Sequence, residues 1–140
     1  MPVTVVFDTN ILFSATGWRG NPHQCVELAR TGLIQAVSCR ELIVELAEKL
    51  EAKLAFSPEQ MADTLADYLT FLPLVNIPRM LDAVPRDAED NAVLECAIAG
   101  QTQFIISGDL DLLVLKNFRG IETVRAADFL ARWKSATLTT

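Results

Sequence analysis

The sequence is poor in the residues that build soft metal sites and covalent scaffolds. Its 140 residues include one histidine and three cysteines, Cys25, Cys39 and Cys96, at wide and irregular spacing. No CxxC pair or Cys/His cluster occurs, which argues against structural zinc and against a disulfide framework, and predicts a reduced, cytoplasmic setting. Positive charge is also short: 12 Lys+Arg against 18 Asp+Glu leave a formal net charge of −6. A protein that coats nucleic acid by bulk electrostatics is thereby excluded. No apolar run approaches the roughly 18 residues of a membrane span, and the amino terminus has no basic region ahead of its short apolar stretch. With only six Gly and six Pro, and no repeat or low-complexity tract, the chain has no evident linker.

What remains is an apolar framework punctuated by acids. Hydrophobic residues make up 51% and charged residues 21% of the chain. Those proportions suit a single domain over residues 1–140 with one sizeable core. The β-branched run Val3 to Phe7 predicts a buried strand that stops at a turn over Asp8-Thr9-Asn10. Gly17, Gly20 and Pro22 predict a loop over 14–23, followed by a short helix from Gln24 to Arg30 and a brief strand at Gln35 to Val37. A helix is expected over Arg40 to Leu54, with Leu42, Leu46 and Leu50 on one stripe. Ser57-Pro58-Glu59-Gln60 is a capped helix start, with the helix continuing to about Phe71. Leu74 to Ile77 reads as a strand between two prolines. Asp87 to Ala99 reads as a helix, Phe104 to Ile106 as a buried strand and Leu110 to Leu115 as a helical turn. Ile121 to Val124 is expected as a last strand and Ala126 to Trp133 as a last helix. Short apolar strands alternating with helices predict an α/β domain with a mainly parallel sheet, whose ligands bind beyond the carboxyl ends of the strands.

Four segments place acids where they face that edge: Asp8, Glu45, Asp87 with Asp90, and Asp109 with Asp111. Gathered carboxylates repel one another, and a divalent cation resolves the conflict; their hard oxygens suit Mg²⁺ or Mn²⁺. Such a site activates water for in-line attack on a phosphodiester, and two ions about 4 Å apart would clamp both the attacking and the leaving oxygen. Each acid also has a structural reading. Asp8 suits a turn, Glu45 shares a helix face with Glu41 and Glu48, Asp87 and Asp90 suit a helix start, and Ser107, Asp109 and Asp111 suit the cap of a helical turn. Arg19, Arg40, Arg86 and Lys116 are candidate phosphate contacts, or solvated surface charge. Trp18 is a candidate base-stacking residue, or packs on its own domain. His23 reads as a hydrogen-bonding loop residue. Met61, Leu65, Tyr68, Leu69 and Leu72 read first as core and secondly as a partner groove.

The order Val5-Val6-Phe7-Asp8-Thr9-Asn10, Glu45, Asp87-Ala88-Glu89-Asp90-Asn91 and Ile106-Ser107-Gly108-Asp109-Leu110-Asp111-Leu112-Leu113 resembles the PIN-domain ribonucleases. The likeness is greatest to the VapC-like toxins of prokaryotic toxin–antitoxin pairs, and it extends over nearly the whole chain. The resemblance implies a three-layer α/β/α fold, Mg²⁺- or Mn²⁺-dependent endoribonuclease activity, a homodimer or higher oligomer, and neutralisation by an antitoxin protein. Its metal-site acids would be Asp8, Glu45, Asp90 and Asp109, with Asp111 as an alternate ligand or an acid just behind the ligands, and Thr9, Asn10, Ser107 and Asp87 in support. Glu41 or Glu48 is the alternative one turn from Glu45, and Asp87 is the alternative to Asp90. Two competing readings are a non-catalytic PIN-like scaffold that binds RNA or protein, and a receiver-like phosphoacceptor domain. The latter needs a lysine closing a late strand, which this sequence lacks.

Overall fold

In the computed structural model, which describes residues 2–81 and 88–139, four parallel strands form the spine: β1 (Thr4–Phe7), β2 (Gln35–Val37), β3 (Phe104–Ile106) and β5 (Ile121–Val124). A two-residue strand, β4 (Asn117–Phe118), adds antiparallel to β5, giving the order β2-β1-β3-β5-β4. β1 and β3 are adjacent and in register, Phe7 opposite Ile106, so both release the chain at the same edge. Both faces of this sheet are covered, and β1 from Val5 onward and β3 are accordingly continuous apolar runs without polar alternation.

Val5, Phe7 and Ile106 point to one core. It is closed by α1 (Thr9–Gly17), α2 (Asn21–Arg30), most of α3 (Arg40–Leu54), α4 (Pro58–Leu69) and α7 (Ala126–Thr139). Val6, Ile105 and Ile121 point to the second core, closed by α5 (Ala88–Ala99), α6 (Leu110–Leu113) and Leu42 of α3. This is the expected three-layer α/β/α arrangement. The leucine stripe of α3 behaves as its spacing requires: Leu42, Leu46 and Leu50 are all buried. Ser57 and Gln60 form the reciprocal capping box at the start of α4. All three cysteines are free and buried, and burial pushes the Cys25 thiol up to about 12. No helix among the described residues is long and apolar enough to cross a membrane.

Several expectations fail. The segment 14–23 is not a loop: α1 runs through Gly17 and α2 begins at Asn21, leaving three connecting residues. Pro22 sits in the first turn of α2, where its missing N–H costs no hydrogen bond, so it starts a helix there. Likewise Asp8 does not open a simple turn; it is the N-cap of α1. Leu74 to Ile77 is not a strand. Only Leu74 bridges Ser38, through Ser38 N–H to Pro73 O at 2.9 Å and Val75 N–H to Ser38 O at 2.8 Å. Pro73 and Pro78 have no N–H to extend that ladder. Helix α4 stops at Leu69, α6 spans only Leu110–Leu113, and α7 continues past Trp133. The hairpin strand β4 carries no pattern long enough to be read from sequence.

Candidate metal centre

The parallel pairing of β1 and β3 decides where the acids meet. The ladder continues one residue past each strand: Asp8 N–H donates to Ile106 O, and Ser107 N–H to Val124 O, both at 3.0 Å. Asp8 then caps α1, its carboxylate accepting from Asn10 N–H at 3.3 Å, while its carbonyl accepts from Ile11 and Leu12. Asp109 caps α6 in the same manner, accepting from Asp111 N–H at 2.8 Å. Asp90 enters from the first turn of α5, which packs against β1 and β3 from the second face. One carboxylate oxygen each from Asp8, Asp90 and Asp109 lies within 4.8 Å of the other two. Asp8 and Asp90 are buried and Asp109 is half-buried.

Ser107 ties two of these acids together. Its fully buried hydroxyl donates to Asp8 Oδ2 at 2.6 Å and accepts from Asp109 N–H at 2.9 Å. The hydroxyl therefore does not cap the following turn; Asp109 does. Burial pushes the Asp8 carboxyl above the ordinary carboxylate range. The Ser107 hydroxyl and Asn10 amide oppose that shift, and the negative charges of Asp109 and Glu45 reinforce it. A buried acid whose nearest charges are also acidic is the situation a cation relieves. The donor set fits a hard divalent ion: three carboxylates, no nitrogen, no sulfur. Among the described residues it is the one cluster of acids, histidines or cysteines with that geometry.

The remaining candidates take different places. Glu45 lies outside the trio but close enough to act on Asp8 electrostatically. Its Oε2 accepts from the buried Thr9 hydroxyl at 3.2 Å, and its Oε1 pairs with Lys49 Nζ at 3.0 Å. Lys49 also donates to the exposed Asn10 Oδ1 at 2.7 Å, so Thr9, Asn10, Glu45 and Lys49 form one network at the start of α1. Glu41 points elsewhere, to Arg79, and Glu48 is exposed. Asp111 is exposed, and its backbone N–H donates to the Asp109 carboxylate. Asp87 and Arg86 lie outside the described residues.

Away from the acids, Trp18 is exposed and packs edge-to-face on Phe13, with ring centroids 5.9 Å apart. His23 lies within α2, its Nδ1 3.3 Å from Ala15 O and its Nε2 3.5 Å from Arg19. Tyr68 and Leu72 are core residues, Met61 and Leu65 pack partly against that core, and Leu69 is exposed.

Two residues that sequence reasoning did not single out adjoin the site. Glu95, buried on α5, accepts at one oxygen from Met80 N–H and Leu81 N–H; Arg79 pairs with Glu41 across the same gap. Together with α3 they border a cleft of about 790 Å³ that reaches Glu45 and Asn91. An acid amid the apolar residues of a helix gives no local signal of such a role.

The structure also resembles a chain of the VapBC2 complex from Rickettsia felis, solved bound to a DNA fragment from their promoter, with a TM-score of 0.63 at 12% identity. That similarity covers 88% of this chain and 98% of the other, and shows a shared fold. No curated protein matches in sequence. A PIN-domain family model, however, matches residues 4–111, from the first residue of β1 to the second residue of α6, and so takes in β1, β3 and the acids of the site. By that match, the chain belongs to the PIN-domain family.

Proposed function

We propose that this protein is a metal-dependent endoribonuclease that hydrolyses RNA phosphodiester bonds and serves as the toxin of a toxin–antitoxin pair. The observation that carries the reading is the convergence of Asp8, Asp90 and Asp109, brought from three separate stretches of chain to within 4.8 Å of one another. Asp8, Asp90 and Asp109 would hold Mg²⁺ or Mn²⁺, with Glu45 beside them. Bound there, the cation supplies positive charge for the phosphate and acidifies water.

The protein's own groups supply the positioning. Ser107 holds the Asp8 carboxylate in one orientation. The caps on α1 and α6 fix where Asp8 and Asp109 stand relative to the sheet edge. Glu45, kept in place by Thr9 and Lys49, is the carboxylate left to orient a water or accept its proton. With the acids neutralised by cations, a chain of net charge −6 can accept a polyanion at this edge.

An antitoxin partner is supported by the fold shared with a chain of the VapBC2 complex; a homodimer and a cytoplasmic location are part of the same proposal. The test is hydrolysis of a single-stranded RNA oligonucleotide with Mg²⁺ or Mn²⁺. Cleavage should require the metal, stop with EDTA and be lost in Asp109→Asn. Cleavage that survives EDTA, or a fully active variant, overturns the mechanism.

A further inference from the structure

The cleft beside the acids has one wall of unusual construction. Segment 77–81 follows Pro73, contains Pro78 and is not held by a helix or a strand. Arg79 adopts a left-handed backbone with φ of 60°, a conformation that L side chains avoid. Beyond that bend, the consecutive N–H groups of Met80 and Leu81 converge on Glu95 Oε1 at 2.7 and 2.9 Å. Successive amides that converge after a left-handed residue form an anion-binding concavity, and here a buried side chain of the same protein fills it. Arg79 then reaches across to Glu41 on α3, at 2.5 Å. Met80 stays exposed at the rim of the cleft.

Burying a carboxylate to hold two amides is costly where apolar contacts alone would anchor a segment loosely. Charge-assisted hydrogen bonds offset that cost and return a fixed geometry. The placement matters because the same cleft is lined by Glu45, whose charge reaches Asp8, and by Asn91, the neighbour of Asp90. The clamp also engages two of the cleft's acids, Glu41 and Glu95, with a guanidinium and with amides. Both would otherwise face a polyanion.

We infer that Glu95 is a positioning residue: by gripping Met80 and Leu81 it sets the wall of the cleft that holds the RNA chain leading to Asp8, Asp90 and Asp109. This rests on the nuclease reading. It makes Glu95 a determinant of substrate binding, with no contact to the reacting phosphate.

The experiment pairs steady-state hydrolysis of a short single-stranded RNA in Mn²⁺ with amide hydrogen exchange at Met80 and Leu81. Glu95→Ala should raise KM about tenfold while kcat changes less than about twofold. Its two amides should exchange at least about tenfold faster. Glu95→Gln, which keeps the acceptor oxygen, should restore both toward wild type. Arg79→Ala, at an exposed position, should raise KM by a smaller factor, and it carries the kinetic test if Glu95→Ala fails to fold. Unchanged KM in the alanine variants, or a fall in kcat alone, overturns the inference. So do Met80 and Leu81 amides that exchange freely in the wild type. Absence of metal-dependent hydrolysis by the wild type overturns the nuclease reading instead, and amide exchange still decides whether the clamp exists.

Discussion

The Ser107 hydroxyl donates to the Asp8 carboxylate at 2.6 Å while accepting from Asp109 N–H at 2.9 Å, so one buried oxygen joins the ends of β1 and β3. Ser107→Ala removes both bonds and leaves a buried acceptor and donor unmatched. It should destabilise the fold by about 1–3 kcal/mol. Because the hydroxyl orients a ligand without being one, metal-dependent hydrolysis should fall about 10- to 100-fold. Urea unfolding and RNA cleavage measured on one preparation check both numbers; wild-type stability would refute the bridge.

Asp8 is a burden on the metal-free fold. Its folded pKa lies above its unfolded value because burial, and then Asp109 and Glu45, oppose ionisation. The penalty is absent at pH well below the ordinary carboxylate range, grows as pH rises and is complete above the raised pKa. Asp8→Asn should therefore raise the Tm of the metal-free protein by a few degrees at neutral pH, and that gain should shrink on acidification. Mn²⁺ should raise the Tm of the wild type and leave the variant unmoved. Thermal scans across pH, with and without Mn²⁺, decide it; a wild-type Tm indifferent to Mn²⁺ sinks the metal site.

Glu45 stands apart from the trio, engaged by Thr9 and Lys49. Glu45→Gln should lower hydrolysis about 10- to 100-fold, as loss of an outer carboxylate does, whereas Asp8→Asn should abolish it. Metal titration should separate the two variants in the same order. Equal losses would mean that Glu45 is itself a ligand.

Gly100 ends α5 where that helix turns back toward the sheet. A Cβ there would lie 2.5 Å from Val37 Cγ2 and 3.2 Å from Cys96 O. The valine methyl is stiff at χ1 and cannot swing away. Gly100→Ala should cost about 1–3 kcal/mol, seen as a lower denaturation midpoint; an unchanged midpoint would show that β2 and α5 yield easily.

Local chemistry made much of the fold legible. The Leu42, Leu46 and Leu50 spacing, the Ser57–Gln60 box and the apolar runs of β1 and β3 each carry their own signal within a few residues. The same habit of reading misled at 14–23, where Gly17, Gly20 and Pro22 mark helix ends and a helix start. It also misled at Leu74 to Ile77, where an apolar stretch finds a single bridge. Glu95 and Arg79 were invisible because their partners are 14 or more positions away and signal nothing locally.

From composition and periodicity alone came the class of the protein: an apolar α/β chain, acid-rich, with aspartates at strand ends and helix starts. Those features depend on neighbours within one or two turns, which a sequence displays. Which carboxylates meet was decided only by folding. Parallel pairing sends β1 and β3 to one edge, α5 lays Asp90 against them, and Ser107 and Glu95 find partners far along the chain. Contacts of that kind are set by packing two faces of one sheet, and no short stretch of sequence contains them.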